Sequence, residues 1–365
     1  MRTTSLRSVH VVVPDDIDDA AVPSGGNAYD RRVCLGLADT GCAVHELPVA
    51  GGWPRPDAAA RESLARTLAT LPDGAVVLID GLVACGVPDV VVPQAGRLRL
   101  VVLVHLPLGD EVGASPSAAA ELAALERESL HAASAVVATS SWVARRLVAT
   151  HALDPERIHV ATPGADPAPP ATGTDGASRL LCVGSVTPTK GQDLLVEALA
   201  GVADLPWSCD LTGPLSRNPV HVASVRSTIE RHGLGERVRL TGPQTGERLE
   251  AAYAKADLLV LPSRVEAYGM VVTEALARGI PVLAAAVGGV PESLGYDPGG
   301  RVPGILVPPA DVAALAGALR RWLGDPELRD SLRGSAQRRR DTLDGWEVTS
   351  RCLAEVLERL SGTPA

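Results

Sequence analysis

Residues 261–292 read LPSRVEAYGMVVTEALARGIPVLAAAVGGVPE. A strand candidate at residues 257–261, apolar from Leu258 onward, leads into this stretch and stops at a Pro-Ser turn. Apolar positions then recur at helical spacing over residues 269–278, and a second short apolar run follows at residues 281–284. Two short apolar runs flanking a helix make a βαβ unit, and such units build parallel sheets. Parallel strands are covered on both faces, which is why they read as continuous apolar runs and not as alternating ones.

The same alternation extends in both directions. Upstream, strands are expected at residues 9–13, 43–47, 75–79, 98–104, 135–138 and 157–160, with helices over 28–39, 57–71, 116–133 and 141–151. Residues 163–178, PGADPAPPATGTDGAS, break both periodicities with Pro, Gly, Thr and Asp, and predict a linker. Downstream, strands are expected at 179–183, 208–211, 237–240, 257–261, 281–284 and 305–307, with helices over 191–199, 220–232, 269–278 and 311–323. The predicted class is α/β, with two doubly wound, Rossmann-like domains at residues 1–165 and 179–345 facing an interdomain cleft. A closing helix at 346–361 is expected to rejoin the first domain. In such sheets ligands bind beyond the carboxyl ends of the strands, so the residues that follow each strand carry most of the functional information.

Composition narrows the classes of function. The 365 residues are 46% hydrophobic and 21% charged, which excludes wholesale disorder and suits two domains. Phe is absent, so the cores must be made of Val, Leu and Ala. The net charge of −9 disfavours general nucleic-acid binding, which relies on cations displacing counterions. Six scattered cysteines show no C-x-x-C and read as small buried apolar residues. The N-terminus lacks a signal-peptide pattern and no apolar window approaches the roughly 18 residues of a membrane span, so a cytoplasmic protein is expected. The acidic run DDIDD at residues 15–19 reads as solvated loop carboxylates, and the three arginines at 338–340 as an exposed helix face. Of 34 basic residues only Lys190 and Lys255 are lysines.

Glu266 lies in the loop after the strand, and Glu274 lies eight residues later on the expected helix. At a rise of about 1.5 Å per residue, eight helical positions span about 12 Å. Two carboxyl groups that hydrolyse one glycosidic bond stand about 5–9.5 Å apart, so this spacing argues against a hydrolytic pair. It suits the two ends of one longer ligand. Between them the amides of Tyr268, Gly269 and Met270 open a helix whose positive end favours an anion. Hydroxyls, then a diphosphate, then hydroxyls would satisfy all three features.

The segment E-A-Y-G-M-V-V-T-E-A-L-A-R-G-I-P-V, followed by A-V-G-G-V-P-E, resembles the E-x7-E region of retaining glycosyltransferases of family 4, which have the GT-B fold. The resemblance implies that Glu266 binds hydroxyls of the donor sugar, that Glu274 binds the ribose, and that the backbone of Ala267, Tyr268, Gly269 and Met270 meets sugar and phosphate. Residues 180–191, LLCVGSVTPTKG, resemble the V-G-R-x-x-x-x-K-G element of that family. Gly184 ends the strand, and Lys190 is expected to neutralise the donor diphosphate as charge accumulates on the leaving group. Ser185 stands where the family has an arginine, which leaves Arg264 or Arg217 as candidates to supply the second cation.

Three further elements follow from position and resemblance together. Gly25 and Gly26 sit in the long loop after the first strand, where the family meets the pyrophosphate and acceptor. His105 ends the apolar run LVVLVH at a strand terminus facing the expected cleft and would line the reaction centre, with Asp110 and Glu111 as weaker candidates for orienting the acceptor. The loops Thr212-Gly213-Pro214 and Thr241-Gly242-Pro243 would pack the nucleoside.

The resulting expectation is a retaining transferase that uses a UDP- or GDP-hexose and a hydroxyl of a soluble acceptor, with His105, Lys190 and Glu266 at the reaction centre. Neither metal nor cofactor is implied, because cations and amides would handle the diphosphate. In the family's front-face chemistry the departing phosphate oxygen helps deprotonate the acceptor, so no protein nucleophile is required. A GT-B phosphorylase, a nucleotide-sugar epimerase, or a sugar-nucleotide-binding protein without catalysis remain the alternatives.

Overall fold

The computed structural model describes residues 8–361. The first six strands are β1 (Ser8–Pro14), β2 (Ala43–Val49), β3 (Val76–Asp80), β4 (Arg99–Val104), β5 (Ala135–Ala138) and β6 (Ile158–Val160). They form one parallel sheet in the order β2-β1-β3-β4-β5-β6. The next six are β7 (Arg179–Val183), β8 (Ser208–Thr212), β9 (Val238–Gly242), β10 (Leu258–Leu261), β11 (Val282–Ala285) and β12 (Gly304–Val307). These form a second parallel sheet in the order β12-β11-β10-β7-β8-β9. Each strand expected from the apolar runs is present, with ends shifted by a residue or two.

Both sheets reverse direction beside their first strand, between β1 and β3 and between β7 and β10. Connections on the two sides of that point cross opposite faces, which opens a crevice at the carboxyl ends there. The central strands are fully buried, β3 and β10 along their whole length. The helices between them start where side chains cap them. Ser115 accepts from the Ala118 amide ahead of Pro116, and Ser140 accepts from the Val143 amide.

The chain divides into two compact units. The first holds residues 8–18, 25–164 and 345–361, and the second holds 19–24 and 165–344. The terminal helix, Trp346–Ser361, belongs to the first unit. It packs closely there: Thr349 donates to the Thr162 carbonyl at 2.7 Å, and a methyl at Gly36 would meet Ser350 Oγ at 1.9 Å.

Several expectations are corrected. Residues 165–178 do not form a free linker but line the second unit. Ala171 donates to the Arg278 carbonyl, Gly173 to the Ala254 carbonyl, and Thr174 binds Asp257 through both its amide (3.0 Å) and its hydroxyl (2.6 Å). Proline and glycine composition cannot distinguish an extended tether from an extended surface strap, because both lack periodicity. The arginines at 338–340 lie on a helix face that is exposed at Arg338 and half-buried at Arg339 and Arg340, and all three are engaged. Arg338 pairs with Asp297 at 2.6 Å, Arg339 donates to the Thr342 carbonyl at 2.9 Å, and Arg340 donates to the Ala168 carbonyl at 2.7 Å. Helices Gly81–Ala84, Pro88–Val91, Gly246–Ala254, Val290–Leu294 and Pro326–Arg340 were not anticipated.

Five cysteines are buried, Cys352 is half-buried, and all six are free. Burial pushes the Cys34 and Cys182 thiols up to about 12. Among the described residues no helix is long and apolar enough to cross a membrane.

Asp257 is buried and accepts from the Thr174 amide, the Thr174 hydroxyl and the Arg179 amide. Asp257→Ala leaves those donors unsatisfied and is expected to cost about 1–3 kcal/mol. Limited proteolysis should then cut within 165–178 faster than in the parent, whereas a free linker would be cut equally fast in both.

Candidate functional site

In the second unit the loops after β7 and β10, the two strands at the reversal point, are locked together. Gly191 has a φ of 69°, and a methyl there would lie 2.3 Å from the Pro262 carbonyl oxygen. Only glycine permits this approach. The Arg264 amide donates to the Thr189 carbonyl at 2.8 Å, and the Arg264 guanidinium donates to the Pro188 carbonyl at 2.7 Å. The same guanidinium grips Asp193 with both arms, at 2.9 and 2.6 Å. Arg264 therefore clamps the turn that carries Lys190, and is not free to replace the arginine missing at Ser185. Arg217 donates to the Val22 carbonyl at 3.4 Å.

This clamp delivers Lys190 to Glu266. Lys190 Nζ donates to both carboxylate oxygens at 2.8 Å, and Ser263 Oγ donates to one of them at 3.0 Å. The Glu266 side chain is 11% exposed and that of Lys190 31%, so the pair is screened from bulk water yet reachable. Gly184 lies against the Lys190 stem, 3.6 Å from where its own methyl would be. Gly213 backs onto Gly184, with a virtual methyl 2.2 Å from the Gly184 carbonyl oxygen. Gln192 Nε2 donates to the Ser185 carbonyl at 3.0 Å. Lys190, Glu266, Gly184, Ser185 and Gly213 thus belong to one locality. Thr212 and Thr241 bond one another through their hydroxyls at 2.9 Å and knit the ends of β8 and β9.

The Gly-Gly pair of residues 288–289 explains why the sequence after β11 matters to Glu266. Gly289 donates to the Glu266 carbonyl at 3.0 Å, and a methyl on Gly288 would lie 1.7 Å from that same oxygen. The chain then turns at Gly269, φ 87°, into helix Met270–Leu276. This helix has seven residues, shorter than expected, and Glu266 precedes it. The eight positions to Glu274 are therefore not one helical run, and helical rise does not fix the separation of the two carboxylates. Any anion recognition by residues 267–270 falls to individual amides and not to a long helix dipole. Tyr268 is half-buried, and burial pushes its hydroxyl up to about 12.

Glu274 points elsewhere on the same helix. Tyr253 donates to its Oε2 at 2.6 Å, and Arg278 lies over the Tyr253 ring at 4.5 Å. Burial raises the Glu274 carboxyl, and the Tyr253 bond and the Arg278 charge only partly oppose this. Sequence reading missed Ser263, Asp193 and Tyr253, and nothing in their local spacing marks them.

In the first unit Gly25 and Gly26 are the opening residues of helix Gly25–Asp39 and not part of the loop before it. Gly26 abuts His105: a methyl there would sit 3.3 Å from the ring Cδ2. His105 follows β4, and its Nε2 meets Asp30 Oδ1 at 2.9 Å. Asp80 ends β3, so donor atoms of Asp30, Asp80 and His105 all lie within 4.8 Å of one another. The strand-end rule that singled out His105 would also have found Asp80. Asp30, on the buried face of a helix, gave no signal. Asp110 is bound by both arms of Arg146, at 2.8 and 2.6 Å, and Glu111 is exposed.

Two parallel, doubly wound sheets with charged side chains gathered at their reversal points define a two-domain α/β protein of the GT-B type. Residues 170–339 match the family described as glycosyl transferases group 1, and residues 7–164 match the glycosyl transferase 4-like domain. The chain is 32% identical over 298 residues to D-inositol 3-phosphate glycosyltransferase 1 of Catenulispora acidiphila, covering 76% of this chain and 68% of that protein. It is 31% identical over 255 residues to D-inositol 3-phosphate glycosyltransferase of Jonesia denitrificans, covering 64% of this chain and 59% of that protein. The aligned part thus spans somewhat under two thirds of the latter relative's length. The fold is similar to that of Anabaena Alr3699/HepE in complex with UDP-glucose, with a TM-score of 0.76 at 18% identity, over 96% of this chain and 99% of that one. The chain belongs to the family 4-like glycosyltransferases.

Gly288→Ala must displace the Glu266 backbone, since φ at Gly288 is 53° and the added carbon overlaps the carbonyl. The expected cost is about 1–3 kcal/mol in urea unfolding. If the variant unfolds like the parent, the Gly-Gly turn is not what holds Glu266.

Proposed function

We propose that the protein is a retaining glycosyltransferase that moves a hexose from UDP or GDP to a hydroxyl of a soluble acceptor. The observation that carries this reading is the Lys190–Glu266 pair at the reversal point of the second sheet. A cation and a carboxylate held together there offer the two chemistries that a sugar diphosphate needs: a countercharge for phosphate and an acceptor for sugar hydroxyls. Lys190 takes the diphosphate, Glu266 the sugar, Glu274 the ribose, the backbone of residues 267–270 the phosphates and sugar, and His105 the reaction centre. Gly25 and Gly26 let the backbone approach the diphosphate.

Lys190 then stabilises the charge that builds on the leaving diphosphate. The bond from the anomeric carbon to the phosphate oxygen breaks, the bond to the acceptor oxygen forms on the same face, and the acceptor proton passes to the departing diphosphate. The reading needs no metal ion. It places the protein in the cytoplasm, with small molecules and not nucleic acid as partners. The names of the relatives make inositol phosphates the first acceptors to assay, and the HepE complex makes UDP-glucose the first donor.

Incubation with labelled UDP- and GDP-hexoses should release free nucleotide plus a glycoside of unchanged anomeric configuration. An epimer or a sugar phosphate would instead indicate one of the other GT-B chemistries, and no turnover of any kind a pure binder. Glu266→Ala should abolish turnover. Glu274→Ala should weaken nucleoside-diphosphate binding by ~1–3 kcal/mol through lost hydroxyl hydrogen bonds. Calorimetry showing Glu274→Ala to bind as tightly as the parent would remove Glu274 from the site.

A further inference from the structure

The Asp30–Asp80–His105 cluster is built from three separate elements. Asp30 is in the second turn of helix Gly25–Asp39, Asp80 is the last residue of β3, and His105 follows β4. β1 and β3 border the reversal point of the first sheet, and β4 lies next to β3. The Asp30 side chain is 1% exposed and Asp80 is buried, whereas the His105 side chain is 22% exposed. A ligand at these strand ends can touch the imidazole but not the two carboxyl groups, so whatever the acids do must pass through the ring.

Asp30 offers one oxygen to His105 Nε2; its second oxygen is buried, and a hydrogen bond between the Asp30 and Asp80 carboxyl groups holds only while one of them keeps its proton. An ionised carboxylate in that condition is costly unless a positive charge sits beside it. Two ionised carboxylates this close would repel, so one of the pair keeps its proton. Asp80 is that one: burial first, and the Asp30 charge second, push it up to about 8. Burial on its own disfavours an imidazolium at His105, but the Asp30 charge and hydrogen bond outweigh it and lift the ring to about 9, with the Asp80 charge adding to them once that acid has lost its proton.

The other neighbours do not reverse this balance. The Tyr29 ring meets His105 edge-on at 5.3 Å, but its hydroxyl donates to the Ala161 carbonyl and its ionisation is driven well upward by burial. From β5's end, Thr139 donates to the His105 carbonyl and carries no charge. Arg32 lies over the Trp346 ring, 5.9 Å from its centre.

We propose that Asp30 is a positioning residue that, with Asp80 behind it, holds His105 as an imidazolium, so that His105 presents a hydrogen-bond-donating positive charge to the reaction centre and does not act as a base. The proposal rests on the assignment of His105 to that centre. A doubly protonated ring has no lone pair, so the acceptor proton leaves with the departing diphosphate oxygen, as in the transfer written above.

Two measurements on the full chain test this, and the first needs no turnover. The His105 ring carbon signals, assigned by comparison with His105→Gln, are followed by NMR from pH 5 to 10. The parent should titrate near 9, and Asp30→Asn should lower the midpoint by more than about one pH unit, while Asp30→Glu keeps it raised. A His105 midpoint at or below the ordinary 6.5 in the parent overturns the proposal, even if Asp30→Asn fails to fold. It does so whether or not the chain proves to be a transferase. Saturable binding of Mn2+ or Zn2+ by the parent that Asp30→Asn abolishes also overturns it, since a metal would then sit where the proton is placed.

The second measurement is kcat/KM against pH with the active donor. The sign follows from the raised value: the protonated ring is the working form, so activity persists to about pH 9 and falls above it. In Asp30→Asn the fall should begin near neutrality, giving about a 10- to 100-fold loss at pH 8 that narrows toward pH 6. A loss of equal size at every pH would mean that Asp30 only supports the fold.

Discussion

The ion pair between Lys190 and Glu266 is the interaction around which the second unit's loops are arranged. A carboxylate as shielded as Glu266 loses hydration on folding, and the two hydrogen bonds from Lys190 with the third from Ser263 offset that loss. Such a pair adds little net stability. Its consequence lies elsewhere: remove either partner, or insert a ligand that takes one of them, and the other is left with an unbalanced charge. The surrounding architecture serves to keep the two within reach. The Arg264–Asp193 clamp fixes the lysine turn, Gly191 lets that turn close on Pro262, and Gly288 and Gly289 press the loop of Glu266 from the other side.

The first unit handles charge in a different way. Its cluster is nearly sealed: burial and the Asp30 charge push the Asp80 carboxyl up, and the Asp30 charge and hydrogen bond raise the His105 imidazole against the effect of burial. Only the ring edge is open to a ligand. The second unit offers a half-buried cation paired with an acid that a ligand can compete for. A sugar nucleotide and its acceptor need both kinds of group: one that yields to phosphate, and one that keeps its charge while bonds change.

Most of the architecture was legible in the sequence because buried parallel strands advertise themselves as apolar runs. All twelve expected runs became strands, and the two sheets followed from the alternation with helices. Glu266, Lys190 and Gly184 were legible for a related reason: they follow strands, where the fold leaves its crevices. What could not be read arises from contacts distant in sequence. The strap at 165–178 looks like a linker until Asp257 is seen to hold it. Arg264 looks available until Asp193, 71 residues away, is seen to hold it. Asp30 meets His105 across 75 residues, and no local periodicity encodes that meeting. The helix after Gly269 was overextended because the periodic apolar positions continue past Leu276, where the chain already turns toward Gly279 and β11.

The central claim, that Lys190 and Glu266 form a single donor-binding point, is tested most directly by titrating UDP and GDP without sugar into Lys190→Ala and Glu266→Gln. Lys190→Ala should weaken binding, because the phosphate loses its countercharge. Glu266→Gln should bind the better nucleotide as tightly as the parent or more tightly, because the lysine is released from its carboxylate and a negative charge near the phosphate is gone. Opposite responses of this kind support the account. If Lys190→Ala leaves the affinity of both nucleotides unchanged, the pair is a structural ion pair and the donor lies elsewhere; if both substitutions weaken binding alike, Glu266 does not compete with phosphate for the lysine and the account of the pair is contradicted.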